Sequence, residues 1–225
     1  MKGGAEGNFL PYFWNNRLWG GVVPWLYVND TSFLTEEKAA GGEWLWERFY
    51  PNEAPRGGGP LWERPNALAD ATVESFEVLQ RMVEERIAAN PAQGGGNELV
   101  ALFSRGSVGM TAAGGFWAQG LHDAGFANED YDVTFFPKMR SQRHQFGAGG
   151  YAMMETSKRK EEAWQWIKYC VSVEGMSIAH PKPDSSLPRK SLNDKLYGAG
   201  IGPKHWQVFY DTLEKFPTTG PMPAP

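Results

Sequence analysis

Glycine interrupts this chain so often that no element has room to be long. Clusters fall at Gly20-Gly21, Gly41-Gly42, Gly57-Gly58-Gly59, Gly94-Gly95-Gly96, Gly114-Gly115 and Gly147-Ala148-Gly149-Gly150. With 27 Gly and 16 Pro in 225 residues, the sequence predicts short elements, many turns and long connections. A chain of this length buries roughly 70% of its unfolded surface, so one or two domains with a real core are expected.

Between the breaks, periodicity does the sorting. Val73, Phe76, Leu79, Val83 and Ile87 recur every three or four residues, which predicts a helix over 71–89 that stops at Asn90-Pro91. Weaker patterns predict helices over 36–50, 98–104, 116–124, 158–171, 173–179, 192–197 and 203–216. Short strands are expected at 108–111, 131–136 and 151–154. Residues 1–30 and 51–65 read as irregular. Helices alternating with strands define an α/β class. Three short strands are too few for a covered parallel sheet, so part of the fold is expected to be missing.

Charge and chemistry exclude several functions. The formal net charge is −4, and the basic run Lys158-Arg159-Lys160 is followed at once by Glu161-Glu162. That pattern is a solvated helix face, and no nucleic-acid partner is expected. The single Cys170 rules out an internal disulfide and sits in an apolar setting suited to a core position. No run approaches the ~20 apolar residues of a membrane span, and no leader-like pattern follows Met1.

An enzyme should show convergent reactive groups. His122, His144, His180 and His205 lack metal-ligand spacing, and Arg105-Gly106-Ser107-Val108-Gly109 lacks the first Gly of a nucleophile elbow. Gly147-Ala148-Gly149-Gly150 precedes an expected strand, the wrong order for a dinucleotide loop. Glu43 with Glu47, or Glu84 with Glu85, reads as a solvated helix face and not as a hydrolytic pair. The expectation is a non-enzyme with no catalytic residues, no metal and no cofactor.

One ordered set of motifs points further. Leu102-Phe103-Ser104-Arg105-Gly106-Ser107-Val108-Gly109-Met110, then Gly114-Gly115-Phe116-Trp117, resembles the family 1 extracellular solute-binding proteins. The likeness continues through Asp132-Val133, Pro137, Gly149-Gly150-Tyr151-Ala152, Ser157-Lys158 and Ala163-Trp164-Gln165-Trp166-Ile167 to Leu187-Pro188-Arg189-Lys190-Ser191. Near the start, Pro11-Tyr12-Phe13-Trp14 with Gly20-Gly21 looks like the aromatic ligand-facing stretch of maltose-binding protein and its relatives.

The resemblance implies the sugar-capturing component of an ABC importer, a two-lobed periplasmic-binding-protein-like fold that closes on its ligand by hinge rotation. Its implied ligand is a sugar or related polyol, and its implied partners are the permease membrane subunits. It further implies a monomer working in the periplasm or outside the cell. A sugar offers an apolar C–H face and a hydroxyl rim, so aromatic rings and polar groups together suit it. On that basis Gly115, Phe116, Trp117, Tyr12, Trp14, Gly149 and Gly150 are the candidate ligand-binding residues. Trp164 and Trp166, on an amphipathic helix, are expected to be structural.

The resemblance also assigns lobes: 1–145 to the C-terminal lobe, 146–185 to a crossing into the N-terminal lobe, and 186–225 to the return. The N-terminal lobe's main sheet has no counterpart, so the chain is expected to be truncated at both ends. The helix bearing Trp164 is then expected to expose apolar surface, and tight sugar binding by the chain as written is not expected. A carbohydrate-active enzyme would instead show turnover abolished by one carboxylate substitution, and a stand-alone interaction module would give a cooperative, monodisperse fold.

Overall fold

The fold was analysed in a computed structural model, which describes residues 9–15, 17–37, 61–88, 99–146, 149–180, 187–189, 191–192, 202–216 and 220–221. Helices and short strands are mixed along the chain, in keeping with an α/β solute-binding domain. The described strands form two-stranded sheets. By contacts the chain divides into two units. Unit 1 comprises Met1–Gly114, Thr134–Phe146 and Tyr210–Pro225; unit 2 comprises Gly115–Val133 and Gly147–Phe209.

Unit 1 is organised around β1, Leu10–Phe13, which pairs in parallel with β4, Val108–Thr111. Tyr12 also bridges Ala88, and its N–H donates to the Ile87 carbonyl at 2.9 Å. The close pairing depends on Gly109. A Cβ there would lie 2.9 Å from the Pro11 carbonyl oxygen, tighter than real side-chain contacts. Residues 10–13 and 18–28 form regular elements where the sequence reading left 1–30 irregular. After β1 comes a π-helical turn, Leu18–Val22, and then α1, Val23–Val28. Every residue of α1 is buried, so it carries no amphipathic period to find. Pro24 suits its first turn, and Asp30, in the left-handed region at φ 63°, closes it as glycine usually does.

β2, Leu34–Glu37, pairs antiparallel with β3, Leu61–Pro65. This corrects both a helix expected from residue 36 and a loop expected over 51–65; residues 38–60 lie outside the described set. The pairing is held at one end by Asn66, whose Nδ2 donates to Thr31 Oγ1 at 3.2 Å and the Ser32 carbonyl at 3.0 Å.

The long helix α2, Asp70–Glu84, has Asp70 at its positive end and Arg81 at its negative end. Its phase differs from the apolar reading. The buried side is Thr72, Ser75 and Leu79, while Val73 and Phe76 are exposed. The reason is polar. Ser75 Oγ donates to the Ala71 and Trp25 carbonyls, Thr72 Oγ1 meets Thr31 Oγ1 at 2.8 Å, and Asn29 Nδ2 reaches the Ala71 carbonyl at 2.7 Å. Small hydroxyl residues let α2 approach α1 closely, and their hydrogen bonds remove the penalty of burying them.

Helix α3, Leu99–Ser104, leads into β4. In unit 2, α4 runs from Trp117 to Asp123, α5 from Lys160 to Cys170 and α6 from Val173 to Ala179. Helix α7, Val208–Lys215, spans the boundary, and β5, Gln145–Phe146, pairs in parallel with β6, Gly220–Pro221. The segment 131–136 is not a strand. Asp132 turns its carboxylate onto the Val133 N–H at 2.9 Å, and that local bond competes with a ladder. Nor is 151–154 a strand; it is exposed throughout. Helix α5 begins two residues later than expected because Ser157 Oγ accepts from the Arg159 N–H ahead of the helix. The helix expected over 203–216 starts only at Val208, and of the one expected over 192–197 only Leu192 is described.

Helix α5 buries none of its residues. Trp164 is 48% exposed and Trp166 63%, so the helix presents apolar surface, as expected for the helix bearing Trp164. Trp166 stacks on Tyr169 at 5.9 Å, and Lys168 Nζ lies over the Trp164 ring at 5.8 Å. Cys170 is half-buried.

Candidate functional site

In unit 1, β1 delivers Tyr12 into the core, where it is 8% exposed. Its ring meets Trp25 edge-on with centroids 6.0 Å apart, and its hydroxyl accepts the Trp25 Nε1 hydrogen at 3.4 Å. Burial raises the Tyr12 pKa, partly opposed by the Trp25 bond, so the phenol is neutral. Leu79 and Ala88 complete this cluster, with Trp14 and Phe136 packed against it. The Tyr12 ring is thus engaged in packing.

Trp14 is half-buried, and its Nε1 donates to the Gly21 carbonyl at 3.0 Å. That bond folds the Gly20-Gly21 turn back over the end of β1. A Cβ on Gly21 would collide with the Asn15 carbonyl, so the turn needs glycine there. The neighbouring Gly20 N–H donates to Gln145 Oε1 at 3.0 Å. The ring of His144, the residue before Gln145, stacks on Phe216 at 5.6 Å and meets Phe136 in a T-shaped arrangement at 6.4 Å. Burial lowers the His144 pKa to about 4, which makes it a neutral imidazole near pH 7. Its Nε2 and the Asn15 Oδ1 are buried without a hydrogen-bond partner.

In unit 2, Gly115 is buried and Phe116 caps α4 with no side-chain bond. Ala118 and Leu121 face inward and are buried. That leaves Phe116 52% exposed and Trp117 half-buried at the helix start, their rings 6.4 Å apart and tilted 58°. Partly exposed aromatic rings are the side chains that pack on the C–H surface of a sugar. Gly149 and Gly150 are exposed, and a Cβ added at either meets nothing within 4 Å. They lead into the exposed Tyr151.

The structure therefore groups Gly115, Phe116 and Trp117 at one helix start, joins Tyr12 and Trp14 through a shared aromatic cluster, and puts Gly149 and Gly150 on an open stretch. Sequence reasoning passed over Asn15, and His144 was weighed only as a metal ligand. Nothing local marks either residue as buried and unpartnered; only the fold creates that state. Among the described residues no cluster of three or more His, Cys, Asp or Glu could hold a metal, and no helix is long and apolar enough to cross a membrane.

No curated protein matches the chain, and no solved structure does. The family described as bacterial extracellular solute-binding protein matches residues 12–177, well over half of the 225. That span takes in the second half of β1, the α2 helix, the Phe116-Trp117 pair, the Gly149-Gly150 stretch and α6 as far as Ser177. Members of this family are binding proteins that capture solutes outside the cell for ABC import, and this chain belongs to the bacterial extracellular solute-binding proteins.

Proposed function

We propose that this chain takes part in capturing a sugar or related polyol and delivering it to the membrane subunits of an ABC permease. The observation that carries the reading is the Phe116-Trp117 pair, two partly exposed rings at a helix start inside the family-matched region. Rings in that state suit the apolar face of a pyranose, and they suit a charged or flexible solute less well. Tyr12, Trp14, Gly115, Gly149 and Gly150 belong to the same proposed set of ligand contacts.

The reading extends to a monomeric, non-catalytic protein in the periplasm or outside the cell that closes on its ligand by hinge rotation. It retains the lobe assignment, with 1–145 and 186–225 in the C-terminal lobe and 146–185 crossing into the other. Each of the two units is assembled from separate stretches of chain, with boundaries other than those of this assignment.

Calorimetry and saturation-transfer NMR against a panel of mono- and oligosaccharides, polyols and amino acids test it. At least one sugar or polyol is expected to bind, and Trp117→Ala is expected to weaken it by about tenfold or more. Binding confined to amino acids, or no binding across the panel at millimolar concentration, overturns the reading.

A further inference from the structure

Unit 2 carries a run of apolar residues in water. Tyr151, Ala152, Met153 and Met154 follow the open Gly149-Gly150 stretch, and all four are exposed, Met154 at 71%. No described helix or strand contains them, and the Ser157 N–H closes a turn onto the Met154 carbonyl at 3.0 Å. Four consecutive apolar residues left open contribute nothing to a core, and a water-facing surface keeps such a run for a use. Methionine supplies a chemistry for it. The thioether is oxidised by two electrons to a sulfoxide, which turns a flexible apolar side chain into a polar one. Access decides which methionines react first. Met82 and Met139 pack against the Tyr12–Trp25 cluster, whereas Met153 and Met154 are exposed and adjacent in the chain. Met110 in β4 is exposed as well, but it stands alone between Gly109 and Thr111.

We propose that Met153-Met154 is a reversible oxidation site that switches this run from apolar to polar while the chain stays folded. The oxidant is a peroxide. A sulfur lone pair attacks one peroxide oxygen, and the S–O bond forms as the O–O bond breaks. The displaced hydroxide takes the proton left on the transferred oxygen, which gives sulfoxide and water. A dithiol reductant reverses the step: its two thiols become a disulfide, and the sulfoxide oxygen leaves as water. The fold tolerates the change because both side chains are exposed and the turn after them is closed by a backbone bond. This site stands apart from the reading of the chain as a sugar or polyol binder.

The test treats the full chain with millimolar hydrogen peroxide and follows oxygen uptake by peptide mass mapping, which separates the methionines from the half-buried Cys170. Met153 and Met154 are expected to gain one oxygen each at least about tenfold faster than Met82 and Met139. Retention on a hydrophobic column should fall while the melting temperature holds. A double variant, Met153→Leu with Met154→Leu, should keep its retention under the same treatment even as Met110 reacts. The two methionine sulfoxide reductases, one for each sulfoxide epimer, should restore mass and retention in the wild type with dithiothreitol as the dithiol. The mass readout needs no variant to fold.

Uptake at Met153 and Met154 no faster than at Met82 and Met139 overturns the proposal. So does a melting temperature that drops in step with uptake at the pair, or an equal loss of retention in the double variant.

Discussion

Asp132 holds His205 at two points. Its Oδ2 lies 2.5 Å from His205 Nδ1, and its Oδ1 accepts the His205 backbone N–H at 3.1 Å while also accepting from Val133. The contact ties residues 73 positions apart within unit 2 and fixes the turn that precedes α7. Because one carboxylate serves three donors, Asp132→Ala should lower stability by about 1–2 kcal/mol, and Asp132→Asn by less. Urea melts of the two variants check the order.

The same carboxylate makes an acid prediction. Burial pushes its pKa up, but the bonds from His205 and Val133 outweigh this and hold it below the ordinary value. A depressed carboxylate stabilises the fold at pH above the unfolded value, and that contribution is lost as pH falls through the folded value. Wild type should therefore lose more stability than Asp132→Asn on acidification from pH 5 to pH 3 (order of magnitude, about the Asp range). Parallel melts at the two pH values measure it.

His144 works over a different window. Its folded pKa of about 4 lies below the unfolded 6.5, so the unfolded chain binds the extra proton first. Stability should decline as pH drops from about 6.5 toward 4, by an amount on the order of 2–3 kcal/mol, and then level for this group. His144→Phe should flatten that part of the stability–pH curve. A curve with the same slope in the variant would assign the decline to other groups.

Gly202 is pinned by the ring it faces. At φ 91° a Cβ would lie 2.8 Å from the buried Trp206 indole. Gly202→Ala should cost about 2–4 kcal/mol from backbone strain plus ring displacement, whereas Gly125→Ala, also at positive φ but facing open space, should cost only the strain of about 1 kcal/mol. Thermal melts of the pair separate the two contributions.

The corrected phase of α2 is testable in the same way. Leu79 is a core residue and Phe76 is exposed. Leu79→Ala should therefore destabilise by about 2–4 kcal/mol and Phe76→Ala by about 1 kcal/mol or less, although the residue volumes rank the other way.

How much of this was legible in the sequence depended on what each residue used to hold itself. Helix α6 stands at the predicted Val173–Ala179, because Ser172 caps it by accepting the Gly175 N–H and the pattern is local. The existence of α2 was readable and its buried face was not, since Thr72 and Ser75 are buried through bonds to Thr31 and Trp25 that lie more than 40 positions away in sequence. Residues 10–13 and 18–28 were opaque because a four-residue strand, a π turn and a fully buried six-residue helix show no repeat. Of the site, the glycine turn before Trp117 and the family-like order of motifs were visible. That Oδ1 of Asn15 and Nε2 of His144 are buried without a partner is a property of the folded chain that no local pattern announces.

The discontinuous make-up of unit 1 has a consequence for biosynthesis. Phe216 packs against Phe135 and His144, and Gly220-Pro221 pairs with Gln145-Phe146, so these contacts of unit 1 wait for residues made after most of unit 2. The chain cannot fold in the order in which it is made. The segments of unit 1 must remain uncompleted while unit 2 is synthesised through Phe209. During that interval the nascent polypeptide presents unsealed aromatic surface, the condition under which chaperone engagement governs yield more than final stability does.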